Sequence, residues 1–363
     1  MNPFTGRHPG RANGSHSPRP ARVSVEAPYG TLCPPRAAPA AVVYWIEMQT
    51  PPNKRIRVGP AGWSYADWEG IVYPKRKGRS FDPLEYIASY FDLVEINSTF
   101  YRVPPRSVCR RWSERVAGRP DFLFTAKAPQ EITHRAKPHP EEDLAAFKTA
   151  MAPLFESSRL GAVLVQFPWS FRPTPETMAY VKTVTERLRP FPTAVEVRHG
   201  GWGAPRALAF FRDQGIALCG IDQPLIGNSL APDSYVPGSG LAYFRLHGRN
   251  KDKWFAEDAG RDERYNYLYD ASELAPWRER IGHAAKGALN VFAVLNNHFR
   301  GQAVVNALQL QTMLTGEKAR APRTVVSSYP HSEEFLVAGD GEGPSRRGAR
   351  DGQRGLFEKD EDD

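Results

Sequence analysis

The chain has 363 residues, of which 41% are hydrophobic and 24% charged, and its formal net charge is +8. This length allows a large buried core, and these fractions of hydrophobic and charged residues are typical of soluble globular proteins. No apolar run approaches the roughly 20 residues of a membrane span, and three cysteines without a CxxC pair argue against a disulfide scaffold or a cysteine-based zinc site. We therefore predict a protein of the reducing cytoplasm with no membrane association.

The two ends of the chain differ in composition from its middle. Residues 1–53 are rich in Pro, Arg, Ala and Gly, and residues 338–363 are rich in Gly, Arg, Asp and Glu. Such segments bury too little apolar surface to order themselves, so we predict two disordered extensions around one domain at residues 54–337. Met48 lies just before the first predicted strand, and the sequence does not decide whether translation starts there or at Met1.

Strand and helix patterns alternate through the predicted domain. Eight strands are predicted, at residues 56–64, 94–101, 122–127, 161–167, 193–199, 216–222, 241–247 and 290–297. Helices are predicted to begin at residue 82 and after residue 105, and to lie at 143–155, 175–189, 204–214, 273–285 and 302–314. The connection from the sixth strand to the seventh is rich in Pro, Gly and Ser and shows no helical pattern.

Alternating strands and helices at this length predict a parallel sheet. Eight such units predict an α/β fold with a single (β/α)8 TIM-barrel-like domain. An open, doubly wound sheet is the alternative. No GxGxxG follows the first strand, so a dinucleotide-binding fold has little support.

Polar side chains are concentrated at the carboxyl ends of the predicted strands, where barrels bind their ligands. The second strand is predicted to direct Glu95, Asn97, Thr99 and Tyr101 to one face. The other strand ends carry Trp63, Lys127, Gln166, Glu196, Arg198, His199, Asp222, Arg245, His247, Asn296 and Asn297. This concentration predicts a functional polar cavity, with ordinary loop polarity as the alternative.

Four of these side chains are candidate acid/base groups, because different surroundings can separate the pKa values of neighbouring carboxyl groups. They are Glu95, Glu196, Asp222 and His247. For Glu196 the alternative is an ion pair with Arg198, which lies two residues along on the same face. The same residue types suit a divalent metal, but no HxH or HExxH spacing accompanies them. We assign no metal ligand, and the sequence does not show whether a metal or another cofactor binds.

A second set is predicted to bind the substrate. Lys127, Arg198, Arg245 and Arg300 would neutralise its charge, and the remaining members would orient it, namely Trp63, Asn97, Tyr101, Gln166 and Asn297. For Lys127 we prefer an ion pair to a carboxylate, with formation of a Schiff base by a desolvated amine as the alternative.

The loops after the last two strands are basic, with Arg249–Asn250–Lys251 in one and Arg300 in the other. Barrel phosphate sites are commonly built from these loops and a helix N-terminus. They predict an anionic small-molecule ligand, phosphorylated or carboxylated, with a solvated basic loop as the alternative.

The segment at residues 63–77 interleaves aromatic and basic side chains. Such a surface suits single-stranded nucleic acid, although aromatic residues after the first strand can also cover the barrel mouth, the interpretation we prefer. The charges of the two terminal segments cancel, so the predicted domain carries the whole basic excess. Nucleic acid is therefore kept as an alternative partner.

Six short motifs in order resemble those of the DUF72 family, whose bacterial members include YecE-like proteins. They are GPAGWS at 59–64, VEINSTFY at 94–101, QFP at 166–168, EVRH at 196–199, RLHG at 245–248 and NNH at 296–298. The resemblance covers roughly residues 55–314. It implies a TIM-barrel-like fold but no activity, because the family is defined as one of unknown function.

We therefore predict a TIM-barrel-like enzyme that acts on an anionic small molecule by acid/base chemistry. The sequence does not separate hydrolase, isomerase and lyase chemistry, and it does not indicate an oligomeric state. A nucleic-acid-processing or nucleic-acid-binding barrel and a non-catalytic interaction module are the two alternatives.

Overall fold

A computed structural model describes residues 56–135, 140–254 and 261–339. The predicted extension at 1–53 lies wholly outside these ranges. The predicted tail at 338–363 lies outside them from residue 340 onward.

Most strands are short and buried. In chain order the described strands are β1 Ile56–Pro60, β2 Leu93–Ile96, β3 Leu123–Lys127, β4 Leu160–Gln166, β5 Thr193–Glu196, β6 Ala217–Leu218, β7 Gly220–Asp222, β8 Leu241–Leu246, β9 Asn290–Leu295, β10 Ala319–Ala321 and β11 Leu336–Ala338.

Helices occupy most of the connections. The described α-helices are α1 Pro83–Ile87, α2 Arg106–Arg115, α3 Gln130–Thr133, α4 Glu141–Glu156, α5 Pro175–Leu188, α6 Pro205–Gln214, α7 Lys251–Trp254, α8 Arg261–Arg264, α9 Ala271–Ala284, α10 Gln302–Thr315 and α11 Arg323–Ser328. Short 3-10 helices lie at Ala66–Trp68, Ser98–Phe100, Gly200–Gly203, Phe299–Gly301 and Pro330–Ser332.

The main strands form two parallel sheets, ordered β1-β9-β8-β7 and β2-β3-β4-β5-β6. A parallel bridge between Ala61 and Glu95 connects the ends of β1 and β2. At the other edge β6 and β7 are separated by one residue, Cys219, whose N–H donates to the Val195 carbonyl at 2.8 Å. The strands therefore follow one another in sequence order, as in a (β/α)8 barrel, and the predicted TIM-barrel-like α/β fold is confirmed.

Helix starts agree with the capping signals in the sequence. The Asp82 side chain accepts hydrogen bonds from the N–H groups of Leu84 and Glu85, with Pro83 at the first helical position of α1. Thr174 caps α5 in the same way and forms a reciprocal pair with Thr177. As predicted, the segment between β7 and β8 contains no helix.

The second predicted strand is too long. Strand β2 ends at Ile96, and a 3-10 turn follows at once, so Asn97, Thr99 and Tyr101 do not continue the face of Glu95. The Thr99 hydroxyl lies 3.0 Å from the Ile96 carbonyl and 2.6 Å from that of Lys127, which favours the turn over an extended chain. Tyr101 is 58% exposed as a result.

Other predicted strands also extend too far at their carboxyl ends, and the sixth is divided at Cys219. The structure adds a small parallel sheet, β10 with β11, and helix α11 after the last predicted helix. No helix of the described residues has the length and apolar character needed to cross a bilayer.

Strand β8 shows how the fold positions the site. All six of its residues are buried, so both faces meet other side chains. Phe244 points outward to Trp277 of α9, with ring centroids 6.3 Å apart. Tyr243 and Arg245 point to the opposite face and reach side chains of β2, β3 and β5. The inner face of β8 therefore brings the central polar group together.

Candidate functional site

Arg245 is the centre of a buried ionic cluster that joins three strands. It is 1% exposed, and its Nη2 and Nη1 groups donate to Glu95 Oε1 and Glu196 Oε2, each at 2.6 Å. Burial disfavours the charged guanidinium, but the two carboxylates outweigh it and raise the pKa of Arg245 well above its usual value. The cluster thus places two carboxyl groups around one fixed positive charge.

The second oxygen of Glu95 is also occupied. Glu95 Oε2 accepts a hydrogen bond from the Tyr243 hydroxyl at 2.8 Å, and that hydroxyl lies 2.7 Å from Thr125 Oγ1. Burial, then the charge of Glu95, raises the pKa of Tyr243 well above its usual value, so Tyr243 stays a phenol. Glu95 is therefore held on both oxygens.

Glu196 accepts hydrogen bonds from several donors. Its Oε1 lies 3.1 Å from Arg198 Nε, 3.0 Å from Arg198 Nη2 and 3.1 Å from His247 Nε2. Burial opposes the charge, but Arg245, His247 and Arg198 together hold the pKa of Glu196 well below its usual value. Glu196 is ionised at neutral pH, and the ion pair with Arg198 that the sequence offered as an alternative is formed.

His247 is a neutral hydrogen-bond bridge in this geometry. Its Nδ1 lies 3.0 Å from the amide nitrogen of Asn296, which is a donor, so the ring proton lies on Nε2 and points to Glu196. Burial lowers the pKa of His247 to about 3, although Glu196 opposes this shift. The ring therefore orients Glu196 without adding a charge.

We expect His247→Gln to make the protein less sensitive to acid, because Gln keeps a donor and an acceptor but does not titrate. Between pH 6.5 and pH 3 the unfolded chain binds a proton at this histidine and the folded chain does not, so wild-type stability falls as the pH falls. From pH 6.5 to 4.5 the wild type should lose about 2 kcal/mol more than the variant. Urea unfolding at several pH values measures this difference.

The exposed His283 of α9 provides the control, since His283→Gln should leave the pH dependence of stability unchanged. Parallel pH profiles for the wild type and His247→Gln would contradict a neutral buried ring.

Lys127 ends β3 and has no ion-pair partner among the residues that the structure describes. Its Nζ lies 3.9 Å from the centroid of the Phe100 ring, and no carboxylate of the described residues lies within 4.0 Å of it. The ion pair that we preferred from the sequence is thus not formed among the described residues, and that prediction is wrong. Burial, followed by the charge of Arg245, lowers the pKa of Lys127 to about 7.

Two adjoining cavities lie at the carboxyl ends of the strands and share Tyr265. The larger, of about 220 Å³, is lined by His134, Gln166, Pro168, Trp169, Arg198, Gln223, Ser229, Arg264 and Tyr265. The smaller, of about 80 Å³, is lined by Tyr65, Asn97, Tyr101, Lys127, Arg245, Tyr265, Asn296 and His298.

Six of the nine predicted substrate-binding residues line these cavities, namely Asn97, Tyr101, Lys127, Gln166, Arg198 and Arg245. The other three lie elsewhere. Trp63 packs edge-on against Trp112 at 5.4 Å, and Asn297 is buried and donates to the Tyr267 carbonyl at 2.8 Å. Arg300 is exposed.

Asp222 lies apart from the Arg245 cluster. Both of its oxygens accept from Arg249 Nε at 3.0 Å, and one accepts from Trp277 Nε1 at 3.2 Å. Burial raises the pKa of Asp222, although Arg249 opposes the shift. Arg249 also binds Glu273 at 3.0 Å, so the arginine of the basic loop after β8 pairs with carboxylates of the protein itself.

The N-terminus of α10, where the sequence predicts a phosphate site, is already in contact with other groups. The Arg300 N–H just before the helix donates to Asp67 Oδ2 at 2.5 Å. Gly301 has φ +80°, and a Cβ there would lie 2.5 Å from Val72. A carboxylate and an apolar side chain thus cover the helix start.

The aromatic residues of the 63–77 segment pack inward. Trp68 is fully buried and donates from Nε1 to the His298 carbonyl at 2.8 Å. Tyr65 stacks on the His298 ring with centroids 4.5 Å apart, and Tyr73 is buried. These contacts favour the interpretation that the segment covers the barrel mouth.

Several residues of the buried cluster and of the cavity walls were not singled out from the sequence. Tyr243 could have been found, because it lies two residues before Arg245 on the same inner face. Arg264 and Tyr265 lie in or just after α8, a short helix without a clear apolar pattern, and His134 follows the equally short α3. Within the described ranges, no three His, Cys, Asp or Glu side chains lie close enough to hold a metal ion.

Together these features define a class: a parallel α/β barrel-like protein with a cation-rich polar site at the carboxyl ends of its strands. A family model described as "Protein of unknown function DUF72" matches residues 57–329, and the chain belongs to this family.

Relatives and solved structures agree with this assignment. The chain is 31% identical to UPF0759 protein YunF of Bacillus subtilis over 283 residues, 74% of this chain and 98% of YunF. It is 33% identical over 145 residues to UPF0759 protein YecE of Escherichia coli K12, 40% of this chain and 48% of YecE.

A crystal structure of a DUF72 family protein from Thermotoga maritima superposes with a TM-score of 0.62 at 33% identity, covering 72% of this chain and 99% of that one. One from Enterococcus faecalis gives a TM-score of 0.63 at 31% identity, covering 71% and 95%. These results confirm the resemblance in the motifs.

Proposed function

We propose that the protein is an enzyme that acts on an anionic small molecule, carboxylated or phosphorylated, bound at the ends of β3, β5 and β8. The distribution of charge around the two cavities is the observation that carries this proposal. Lys127, Arg198, Arg245 and Arg264 line them, and no carboxylate of the described residues does. A confined space lined by one sign of charge attracts a ligand of the opposite sign.

The carboxylates beneath the cavities support this role indirectly. Glu196 holds Arg198 through Nε and Nη2, and together with Glu95 it holds both terminal nitrogens of Arg245. A fixed, planar guanidinium binds a carboxylate or phosphate with less loss of side-chain freedom than a mobile one. In this proposal Glu95 and Glu196 therefore position the cationic groups that meet the substrate.

Within the same proposal, Lys127 is the group best suited to move a proton at neutral pH, because its pKa is lowered to about 7. Gln166 and Asn97 line the larger and the smaller cavity and would orient the ligand by hydrogen bonds. The acid/base roles predicted from the sequence for Glu95, Glu196, Asp222 and His247 stay predictions.

Calorimetric titration tests the proposal with pairs of anionic and neutral ligands, such as lactate with lactamide and glycerol 3-phosphate with glycerol. We expect at least one anion to bind and its neutral counterpart not to bind. Arg198→Gln should weaken that binding about tenfold to a hundredfold, because it removes a hydrogen bond between charged groups.

Arg106→Gln is the matched control, since Arg106 binds Glu156 on the exposed surface, away from the cavities. Equal binding of charged and neutral ligands, or no binding by either, would contradict the proposal. A single-stranded oligonucleotide titrated at two salt concentrations tests the nucleic-acid alternative, whose affinity should fall steeply with salt.

A further inference from the structure

We infer that Lys127 Nζ forms an imine with the carbonyl carbon of a small anionic carbonyl compound, a 2-oxo acid or a keto phosphate, bound in the smaller cavity. The inference rests on the proposed function and names the substrate class of the same site. Three observations support it: the place of the amine, the absence of an acidic partner, and an unpaired donor on the neighbouring arginine.

The amine lies where a bound molecule can reach it. Lys127 lines the smaller cavity together with Arg245, Asn97 and Asn296. The face of the Phe100 ring supports Nζ from one side at 3.9 Å. Since the strand end fixes the backbone and the ring fixes the side chain, the nucleophile is held in place before a ligand arrives.

The amine is not engaged in an ion pair. The two buried carboxylates whose charges act on Lys127, Glu196 and Glu95, each accept a hydrogen bond from Arg245 at 2.6 Å. No carboxylate of the described residues lies within 4.0 Å of Nζ. Burial beside a cation lowers the pKa of Lys127 to about 7. About half of the molecules therefore carry the free, nucleophilic amine at pH 7.

The wall of the same cavity contains an unsatisfied donor. Nε of Arg245 is buried and has no hydrogen-bond partner among the described residues, whereas both terminal nitrogens bind carboxylates. Buried donors are nearly always paired with protein, water or a ligand. Arg245 lines the smaller cavity beside Lys127, so a small shift of its side chain would bring Nε to a carboxylate, phosphate or carbonyl oxygen of a ligand there.

The step balances without an oxidant or reductant. The Nζ lone pair forms a bond to the carbonyl carbon, the C=O π electrons move to oxygen, and a proton passes from nitrogen to that oxygen. A second proton, supplied by solvent water, passes to the hydroxyl group; the C–O bond then breaks, water leaves, and the nitrogen lone pair forms C=N, so the imine keeps its N–H and is positively charged. The protonated imine withdraws electrons from the adjacent carbon, so a C–H or C–C bond there becomes easier to break. This favours lyase or isomerase chemistry over hydrolysis.

Trapping with sodium cyanoborohydride tests the inference on the full-length chain, with pyruvate as the 2-oxo acid and dihydroxyacetone phosphate as the keto phosphate. We expect one of them to give a single reduced adduct, which peptide mapping places on Lys127. Lys127→Arg should lose the adduct, and Lys182→Arg, at an exposed position of α5, should keep it. Absence of an adduct at Lys127, or equal labelling of exposed lysines, would overturn the inference.

A second measurement needs no variant. Competitive acetylation with acetic anhydride should label Lys127 at pH 7 about tenfold to a hundredfold faster than a lysine of ordinary pKa, corrected for accessibility. Its free-amine fraction is on the order of a thousandfold larger, but an amine of lower pKa is a weaker nucleophile. A rate that rises only above pH 9 would overturn the inference.

Lactate and glycerol 3-phosphate separate this inference from the proposed function, because they have the same charge but no carbonyl. If they bind and Arg198→Gln weakens the binding, but no imine is trapped, the inference is wrong and the proposed function stands. If neither these anions nor the two carbonyl compounds bind, both are wrong.

Discussion

Arg245→Met should destabilise the protein by about 4 kcal/mol, the largest effect we expect of any single substitution in the site. It leaves the buried carboxylates Glu95 and Glu196 without the cation that each contacts at 2.6 Å. Removing one member of a buried ionic group costs about 3–5 kcal/mol. Glu196 keeps its contacts with Arg198, but Glu95 keeps only the hydrogen bond from the Tyr243 hydroxyl and has no other cation beside it among the described residues. Urea unfolding at pH 7 measures the loss.

The matched control is Arg106→Met. Arg106 and Glu156 are 55% and 58% exposed, and an exposed pair contributes at most about 1 kcal/mol. In the background of Glu95→Gln and Glu196→Gln, Arg245→Met should cost much less, because no buried negative charge is then left unpaired. An equal cost for Arg245→Met and Arg106→Met would show that the cluster is not held by its central guanidinium.

The cluster also shows what the sequence can predict. Glu196 and Arg198 lie on one face of one strand, and their ion pair is a local pattern that the sequence reveals. The contacts of Glu95 with Arg245 and Tyr243 join residues that are 150 and 148 positions apart. Only the curvature of the sheet brings such residues together, and no local periodicity encodes it.

The end of β2 shows the converse case, in which a local pattern predicts structure that the protein does not form. Residues 97–101 continue the β-favouring composition of β2, so the pattern predicts a longer strand than the protein forms. The Thr99 hydroxyl contacts the Ile96 carbonyl, a local contact that favours a turn, and it also contacts the Lys127 carbonyl at the end of the neighbouring strand. A tertiary contact with the neighbouring strand thus outweighs propensity, which is how Tyr101 comes to lie at the rim of the cavity.

For Lys127 the sequence predicts the position correctly and the contacts wrongly. The sequence correctly places it at a strand end, but composition favours a carboxylate partner that it does not have. Lys127 has no carboxylate partner among the described residues because Arg245, on the inner face of β8, contacts both nearby buried carboxylates. The amine is therefore buried beside cations, a condition that lowers stability and raises reactivity.

Lys127→Met should consequently stabilise the folded protein at pH 7, by on the order of 3 kcal/mol more than at pH 9.5. The pKa of Lys127 is about 7 in the folded chain against an ordinary value of 10.5, so between these values the unfolded chain binds the proton and the folded chain does not. Wild-type stability then rises with pH by about 1.4 kcal/mol per pH unit relative to the variant. Urea unfolding from pH 7 to 9.5, below the ordinary tyrosine pKa of about 10, measures this divergence.

Lys182→Met, on the exposed face of α5, should show no such pH dependence. If Lys127→Met and the wild type keep a constant difference in stability over this range, the amine is charged in the folded protein and cannot serve as a nucleophile at neutral pH. If they diverge as expected, the fold maintains a destabilising free amine in a cavity lined by arginine. A residue that lowers stability in this way is typical of a functional position, because methionine would pack at the same place without the loss of stability.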